Sequence, residues 1–317
     1  MVSGTFTGLS LGTIDIWIER KNAKKTSFRR MFLTKSLGYI ITFLFLVIFT
    51  GLGIRLITTG GDWNTSWQAF YSADSFYIMS AYLTFSILYS FLVGILSQVR
   101  RNYGKGTLIP LFTGRYYTPK EEERIFMFLD LRDSTTLAEQ LGHIRFSQLI
   151  QDCFYDLNRI VNNYDASIYQ YVGDEAILVW TVKDGTKKAN CLRLFFAFKT
   201  LLTKRKSYYL QTYGQLPIFK AGLNYGMVTI TEIGVVKKDL TYHGDVLNTA
   251  ARIQGLCNQL KKDCLLSKDL ALLLHNKDDY SIQFLEERLL KGKIQTVGIY
   301  SAEEKNYRKN SFPEISN

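Results

Sequence analysis

The sequence predicts N-terminal transmembrane α-helices followed by an α+β domain, and three observations carry that prediction. The 47% hydrophobic content of the 317 residues is concentrated in the first third of the chain. Two stretches there, residues 36–57 and 76–99, are long enough to span hydrocarbon at about 20 residues per crossing. From about residue 124 onward, apolar runs of strand length alternate with segments of helical period, the pattern of a sheet covered by helices.

The two spans differ from buried core helices in being apolar on all faces, which suits lipid better than a half-exposed core. Residues 76–99 carry no charge, and residues 36–57 carry only Arg55 near one end, where it can snorkel. Residues 20–35 hold seven basic side chains, Arg100, Arg101 and Lys105 follow the second span, and residues 58–75 hold no Lys or Arg. The positive-inside rule then places the basic stretch and everything after residue 100 in the cytoplasm, as a multi-pass protein of the plasma or inner membrane. Residues 1–18 are apolar but interrupted by Gly4, Gly8, Gly12 and Asp15, and they lack the basic start of a signal peptide. They read as an interfacial segment or a clipped span, so the membrane region is residues 1–105.

Composition excludes several other classes. Much of the +11 net charge sits beside the spans, so membrane lipid, not nucleic acid, is the expected partner of the basic excess. Cys153, Cys191, Cys257 and Cys264 show no C-x-x-C spacing and predict neither disulfide nor zinc. His143, His243 and His275 fall in unrelated segments and suggest no metal cluster. Residues 106–123 read as a connector containing Gly106, Pro110, Gly114 and Pro119, and residues 304–317 as a polar tail.

Between them, residues 124–303 form the globular domain. Ile125 to Asp130 reads as a buried strand and is followed by a helix start near Asp133 or Ser134; residues 143–163 repeat apolar side chains at helical spacing. Two strands, 166–172 and 175–181, flank the turn Gly173-Asp174. A helix over 186–204, strands over 218–224 and 227–232, helices over 245–260 and 268–275, and strands over 282–289 and 294–301 complete the pass. The resulting order, βααββαβ with C-terminal additions, predicts an α+β sandwich on a ferredoxin-like core.

On that layout Asp130 ends the first strand and Asp174 sits at a hairpin tip, neighbouring points in such a sheet. Paired carboxylates there could hold divalent cations against triphosphate oxygens. Taken alone, Asp130 reads more readily as a helix N-cap and Asp174 as a turn residue. Leu131 through Thr136 make a strand-to-helix crossing whose N–H groups can face a phosphate. Asn248 and Arg252 lie four apart on one face of a helix entered through Gly244, with the small Ala250 and Ala251 beside them.

Taken together, Asp130, Gly173-Asp174, Asn248, Arg252 and Lys291-Gly-Lys293 make this region resemble the catalytic domain of class III adenylyl and guanylyl cyclases. The resemblance implies a membrane-anchored adenylate cyclase converting ATP to 3′,5′-cyclic AMP and pyrophosphate with two Mg2+ or Mn2+. It implies that Asp130, Asp174 and the Leu131 backbone carbonyl hold metal, that Asn248 and Arg252 stabilise the transition state, and that Lys291 contacts phosphate. Ser134 and Thr135 would meet the substrate phosphates. It further implies a head-to-tail homodimer, in which one chain's carboxylates meet the other's Asn and Arg; the short connector adds the expectation that association of the membrane helices helps orient the two domains.

Departures from the family pattern concern the base. Gln170 stands where many adenylyl cyclases have Lys, and Thr241 where many have Asp; both can hydrogen-bond adenine or guanine, so GTP stays open as a substrate. Asp133 stands where Gly is usual. A diguanylate cyclase shares the Gly173-Asp174-Glu175 turn but leaves Asn248 and Arg252 unexplained, and a catalytically silent nucleotide-binding membrane module has no use for the full set.

Overall fold

The computed structural model describes Thr13, residues 28–58 and 60–65, single positions between 77 and 96, and residues 113–305 apart from 237 and 275–278. Most of residues 1–18 and 76–99, the connector before residue 113, His275, and the tail beyond residue 305 lie outside the described residues. The chain divides into two compact units, Met1–Tyr103 and Gly104–Asn317.

In the first unit, α1 (Phe28–Thr58) contains the expected span 36–57. Tyr39 and Phe43 are buried, and Phe43 meets Phe85 and Tyr89 edge to face with ring centroids 6.1 Å apart in both pairs. Leu37, Ile41, Phe45 and Phe49, spaced by four along the helix, are exposed. Among the described residues no helix is long and apolar enough to cross a membrane, so the two expected transmembrane helices find no support there.

The second unit is built on an eight-stranded sheet. Its strands are β1 (Lys120–Leu131), β2 (Ser167–Val172), β3 (Glu175–Thr181), β4 (Phe219–Ile233), β5 (Asp239–His243), β6 (Cys264–Ser267), β7 (Tyr280–Arg288) and β8 (Val297–Glu304). They run in the order β2-β3-β1-β4-β6-β8-β7, with β5 paired to the far half of β4. The segment β2-β3-β1-β4 is antiparallel throughout and is the expected ferredoxin-like core. Alternation along β1 shows why the strand reads as a continuous apolar run. Ile125, Met127, Leu129 and Leu131 enter one core, Phe126 and Phe128 the core on the opposite face, and neither side meets water.

Helices cover both faces. The first core is closed by α2 (Ser134–Val161) and α4 (Asn190–Lys204). The short α3 (Val182–Thr186) precedes α4 and α5 (Lys206–Tyr213) follows it. α5 is pinned to α2 by a buried polar cluster. Asp152 accepts from the Tyr208 and Tyr213 hydroxyls at 2.5 and 2.6 Å, and Asp156 accepts from Tyr209 at 2.7 Å and from Arg205. The second core is closed by α6 (Asp245–Gly255), while α7 (Lys268–Leu274) packs behind β6.

Several boundaries differ from the sequence reading, each for a physical reason. The two expected strands 218–224 and 227–232 are one strand, β4, because Gly226 is not a turn residue. A Cβ there would sit 2.8 Å from Val246 Cγ2, so the glycine makes room for α6. β4's hairpin partner is β5, which the sequence reading missed, as it missed β6 and α5. The expected helix 186–204 starts at Asn190, after α3 and a 3₁₀ turn whose Lys188 and Ala189 have positive φ. The two expected helices after β1 are continuous in α2 except at Gly142, whose φ of 71° breaks the regular geometry. The helix expected to reach residue 260 ends at Gly255.

Of the described glycines, the one with the least room for a Cβ lies where α6 meets β4. A Cβ on Gly222 would meet Gln254 N at 2.2 Å, Ala250 O at 2.5 Å and Gln254 Cα at 2.5 Å, all helix backbone that cannot swing aside. Gly222→Ala should therefore lift α6 off the sheet and lower stability by about 2 kcal/mol or more, at the upper part of the usual overpacking range. Urea denaturation checks this; a midpoint equal to wild type would mean the helix yields freely.

Candidate active site

β1 and β3 carry the acidic end of the site. Asp130 is the last residue but one of β1 and lies opposite Glu175 on β3 and Lys220 on β4. Gly173, at a φ of 61°, turns the chain between β2 and β3, a left-handed conformation that glycine adopts without cost. That turn brings Asp174 back to Asp130, so the expected carboxylate pair does converge. Loss of solvent and the Asp174 charge raise the Asp130 carboxyl above the ordinary range, against the lowering effect of Lys220. Glu175 is pushed up to about 7, by burial first and then by Asp130 and Asp174.

Asp130 is also tightly held. Lys220 Nζ stands 3.2 Å from Asp130 Oδ2, and Gln254 Nε2 donates to the same oxygen at 2.8 Å. Among the described residues no group of three or more His, Cys, Asp or Glu side chains is placed to hold a metal. The donor set that remains is the Asp130–Asp174 pair with the neighbouring Leu131 carbonyl. It fits a divalent cation on one observation: two carboxylates close enough to raise a pKa by mutual repulsion are stabilised when a cation stands between them.

The basic side is carried by α6. Asn248 is exposed and Arg252 is half-buried, and their four-residue spacing puts both on one helix face. Arg252 Nη1 is buried without a hydrogen-bond partner; the nearest carboxylate oxygen, Asp245 Oδ1, is 4.0 Å away. A buried guanidinium donor with no acceptor is suited to an anion supplied from outside. Gly292, with a φ of 75°, lays the β7–β8 turn against Arg252, where a Cβ would come within 3.4 Å of Nη2. Lys293 is ion-paired to Asp245, which also accepts from Thr249 Oγ1 at 3.2 Å, while Lys291 is exposed on the same turn.

The remaining expected residues fall as follows. Ser134 and Thr135 begin α2, and no side chain caps that helix end. Asp133, just before it, has a φ of 56°. That left-handed backbone explains why Gly is usual at this position in the family the sequence resembles, and Asp is among the few other residues that tolerate it. Gln170 is exposed on β2 beside a register shift, and Thr241 lies on β5 opposite Thr231. Their neighbours Tyr169 and Tyr242 meet edge to face with ring centroids 4.9 Å apart, so β2 and β5 touch through these side chains. His143 and His243 are exposed, and all four cysteines are buried and free, with burial pushing the Cys191 and Cys257 thiols up to about 12.

Within one chain the acidic and the basic groups stand apart. Gln254 follows Arg252 by two residues, a rotation of roughly 200° about the helix axis. Gln254 faces this chain's Asp130, so Arg252 faces away from it. Sequence reasoning missed Lys220, Gln254 and Asp245, and quoted Lys293 without assigning it a partner. Their roles come from strand register and helix seating, and no spacing in the sequence signals them.

Comparisons with known proteins agree with this fold. A family model, the adenylate and guanylate cyclase catalytic domain, matches residues 116–304, more than half of the chain. Adenylate cyclase 2 of Rhizobium meliloti (strain 1021) is 35% identical over 204 residues, 64% of this chain; the chain spans 56% of that relative's length. Among solved structures, a bacterial light-regulated adenylyl cyclase superposes with a TM-score of 0.57 at 22% identity, covering 69% of this chain and 65% of that one. The adenylyl cyclase CyaB from P. aeruginosa gives 0.52 at 20% identity, over 62% of this chain and 100% of that one.

The three carboxylates generate a pH prediction. Glu175 has a folded pKa raised from 4.5 to about 7, so its ionisation destabilises the fold; that cost is absent below pH 4.5 and grows as pH rises to about 7. Glu175→Gln should therefore raise the melting temperature at pH 8 and leave it unchanged at pH 4. The gain is about 1 kcal/mol once solvent screening of this half-exposed group is discounted. Equal gains at both pH values would remove the electrostatic explanation.

Proposed function

The chain belongs to the adenylate and guanylate cyclase catalytic-domain family, and from that premise we propose that it converts ATP to 3′,5′-cyclic AMP and pyrophosphate at the interface of a homodimer. The observation that carries the reading is the division of the site: Asp130 and Asp174 converge at one place, while Arg252 faces away from them with an unpartnered buried donor. A second copy arranged head to tail supplies what each half lacks. ATP is favoured as substrate by the similar protein named as an adenylate cyclase. Gln170 and Thr241 accept either purine by hydrogen bonding, so cyclic product from ATP and GTP measured side by side decides the base.

The work of the protein groups follows from the substrate. The 3′-hydroxyl is tethered near its own α-phosphate, so what is needed is orientation and neutralisation of developing charge. Asp130, Asp174 and the Leu131 carbonyl would hold two Mg2+ or Mn2+, which supply Lewis acidity at the phosphate and lower the pKa of the hydroxyl. Asn248 donates to the phosphoryl oxygens and Arg252 neutralises the five-coordinate phosphorus. Lys291 on its exposed turn, with the N–H groups at Ser134 and Thr135, receives the departing pyrophosphate. Gln170 and Thr241 hold the base.

The same reading includes membrane anchoring, with the catalytic unit in the cytoplasm. It is supported by the two apolar stretches, the basic residues flanking them, and the exposed stripe Leu37, Ile41, Phe45 and Phe49 on α1, which lipid would cover. Pairing of α1 with a second copy would then help set the mutual orientation of the catalytic domains.

Three experiments test these statements. Arg252→Ala should lower the turnover number roughly a hundred- to thousandfold, the usual cost of one transition-state charge group. An inactive Asp130→Asn chain mixed with it should recover about a quarter of wild-type activity, because half the dimers then contain one intact site of two. Full turnover in Arg252→Ala, or no recovery on mixing, contradicts the shared site. Alkaline carbonate should leave the chain in the membrane pellet of expressing cells; release into the supernatant would remove the anchor from the proposal.

A further inference from the structure

The Asp130 carboxylate is already answered by a cation belonging to the chain itself. Lys220 is its register partner on β4, and its Nζ lies 3.2 Å from Oδ2. Gln254, buried on α6, donates to that same oxygen at 2.8 Å. Lys220 keeps only 12% of its side-chain surface exposed, so its charge is poorly shielded by water. Two elements that meet Asp130 from different directions thus place their donors on one oxygen, one charged and one neutral.

We infer that Lys220 is a resident counter-cation of the metal-holding carboxylates: it neutralises Asp130 in the unliganded site, weakens the hold on a free divalent cation, and so favours loading of that cation together with nucleotide phosphates. The inference rests on the metal reading above and extends it. A positive charge against a carboxylate opposes a dication approaching the same group, and the opposition is strong where water is scarce. A nucleoside triphosphate reverses the balance, since its own negative charges attract the dication and give the ammonium another acceptor. Gln254 orients the carboxylate without contributing charge. The division of labour is then clear: the amide fixes the geometry, and the ammonium sets the affinity.

A purely structural ion pair predicts something different. Removing it would loosen the strand pairing and leave the affinity for metal unchanged or lower.

The test measures binding of Mn2+ alone to the purified full-length protein, by loss of the free-ion electron paramagnetic resonance signal, without nucleotide. Lys220→Met and Lys220→Gln should bind Mn2+ roughly tenfold or more tightly than wild type, a change expected from deleting one nearby unit charge. Lys220→Arg, which keeps the charge, should bind as wild type. Adding a non-cyclisable ATP analogue should shrink the difference between Lys220→Met and wild type. Circular dichroism confirms that each variant is folded; the glutamine variant retains a polar side chain against Asp130 and serves if the methionine variant is not. Unchanged or weaker Mn2+ binding in a folded neutral variant overturns the inference alone. If Asp130→Asn leaves Mn2+ binding intact, the metal reading falls and the inference with it.

Discussion

The catalytic unit depends on one close approach, the seating of α6 on β4 at Gly222. With no side chain between them, the helix backbone touches the strand, and the position of every functional group on α6 follows from that contact. Gly226 repeats the arrangement one turn back under Val246, so the helix axis is fixed at two points. Two fixed points determine direction as well as depth. Asn248 and Arg252 are thereby aimed along one face while Gln254 reaches Asp130 from another. Elsewhere the unit relies on ordinary burial: the alternating β1 residues fill both cores, and the sheet order follows from the crossovers.

The same pair of glycines marks where the sequence could be read and where it could not. β1, the β2–β3 hairpin and the heart of α2 were legible, because an apolar run, a Gly-Asp turn and a helical period each have one natural meaning. A glycine within a strand has two, a turn or a close approach, and only the packed helix shows which applies at Gly226. β6 is four residues long and runs into α7, too short for its period to be visible. The convergence of Asp130 and Asp174 was legible from topology, as was the shared face of Asn248 and Arg252. Lys220 was not, since its place beside Asp130 is a consequence of the β1–β4 register. The N-terminal stretches read clearly as membrane spans by composition, while the described residues contain no helix that meets that description.

Charge explains how the acidic end is tolerated before any ligand arrives. Three carboxyl groups lie near the ends of β1 and β3; burial raises the Asp130 and Glu175 carboxyls first, Asp174 adds to both, and Asp130 adds to Glu175. Such a cluster opposes folding unless something cationic shares it. The chain supplies one ammonium and one amide to Asp130, and the same ammonium eases the repulsion at Glu175 without cancelling it. A cation bound between the carboxylates would relieve the repulsion that remains.

In the proposed dimer α6 has a double allegiance, with one face turned to its own chain's acid and the opposite face offered to the neighbour. A flaw beneath that helix in a single subunit consequently spoils two reaction centres, its own through Asp130 and the other through Arg252. In a cell expressing normal and defective copies together, mixed pairs would be silenced completely, so the damage would exceed the fraction of defective chains. A lesion at Gly222 would then behave as dominant in a mixed population, whereas loss of Arg252 alone would spare one centre in each mixed pair.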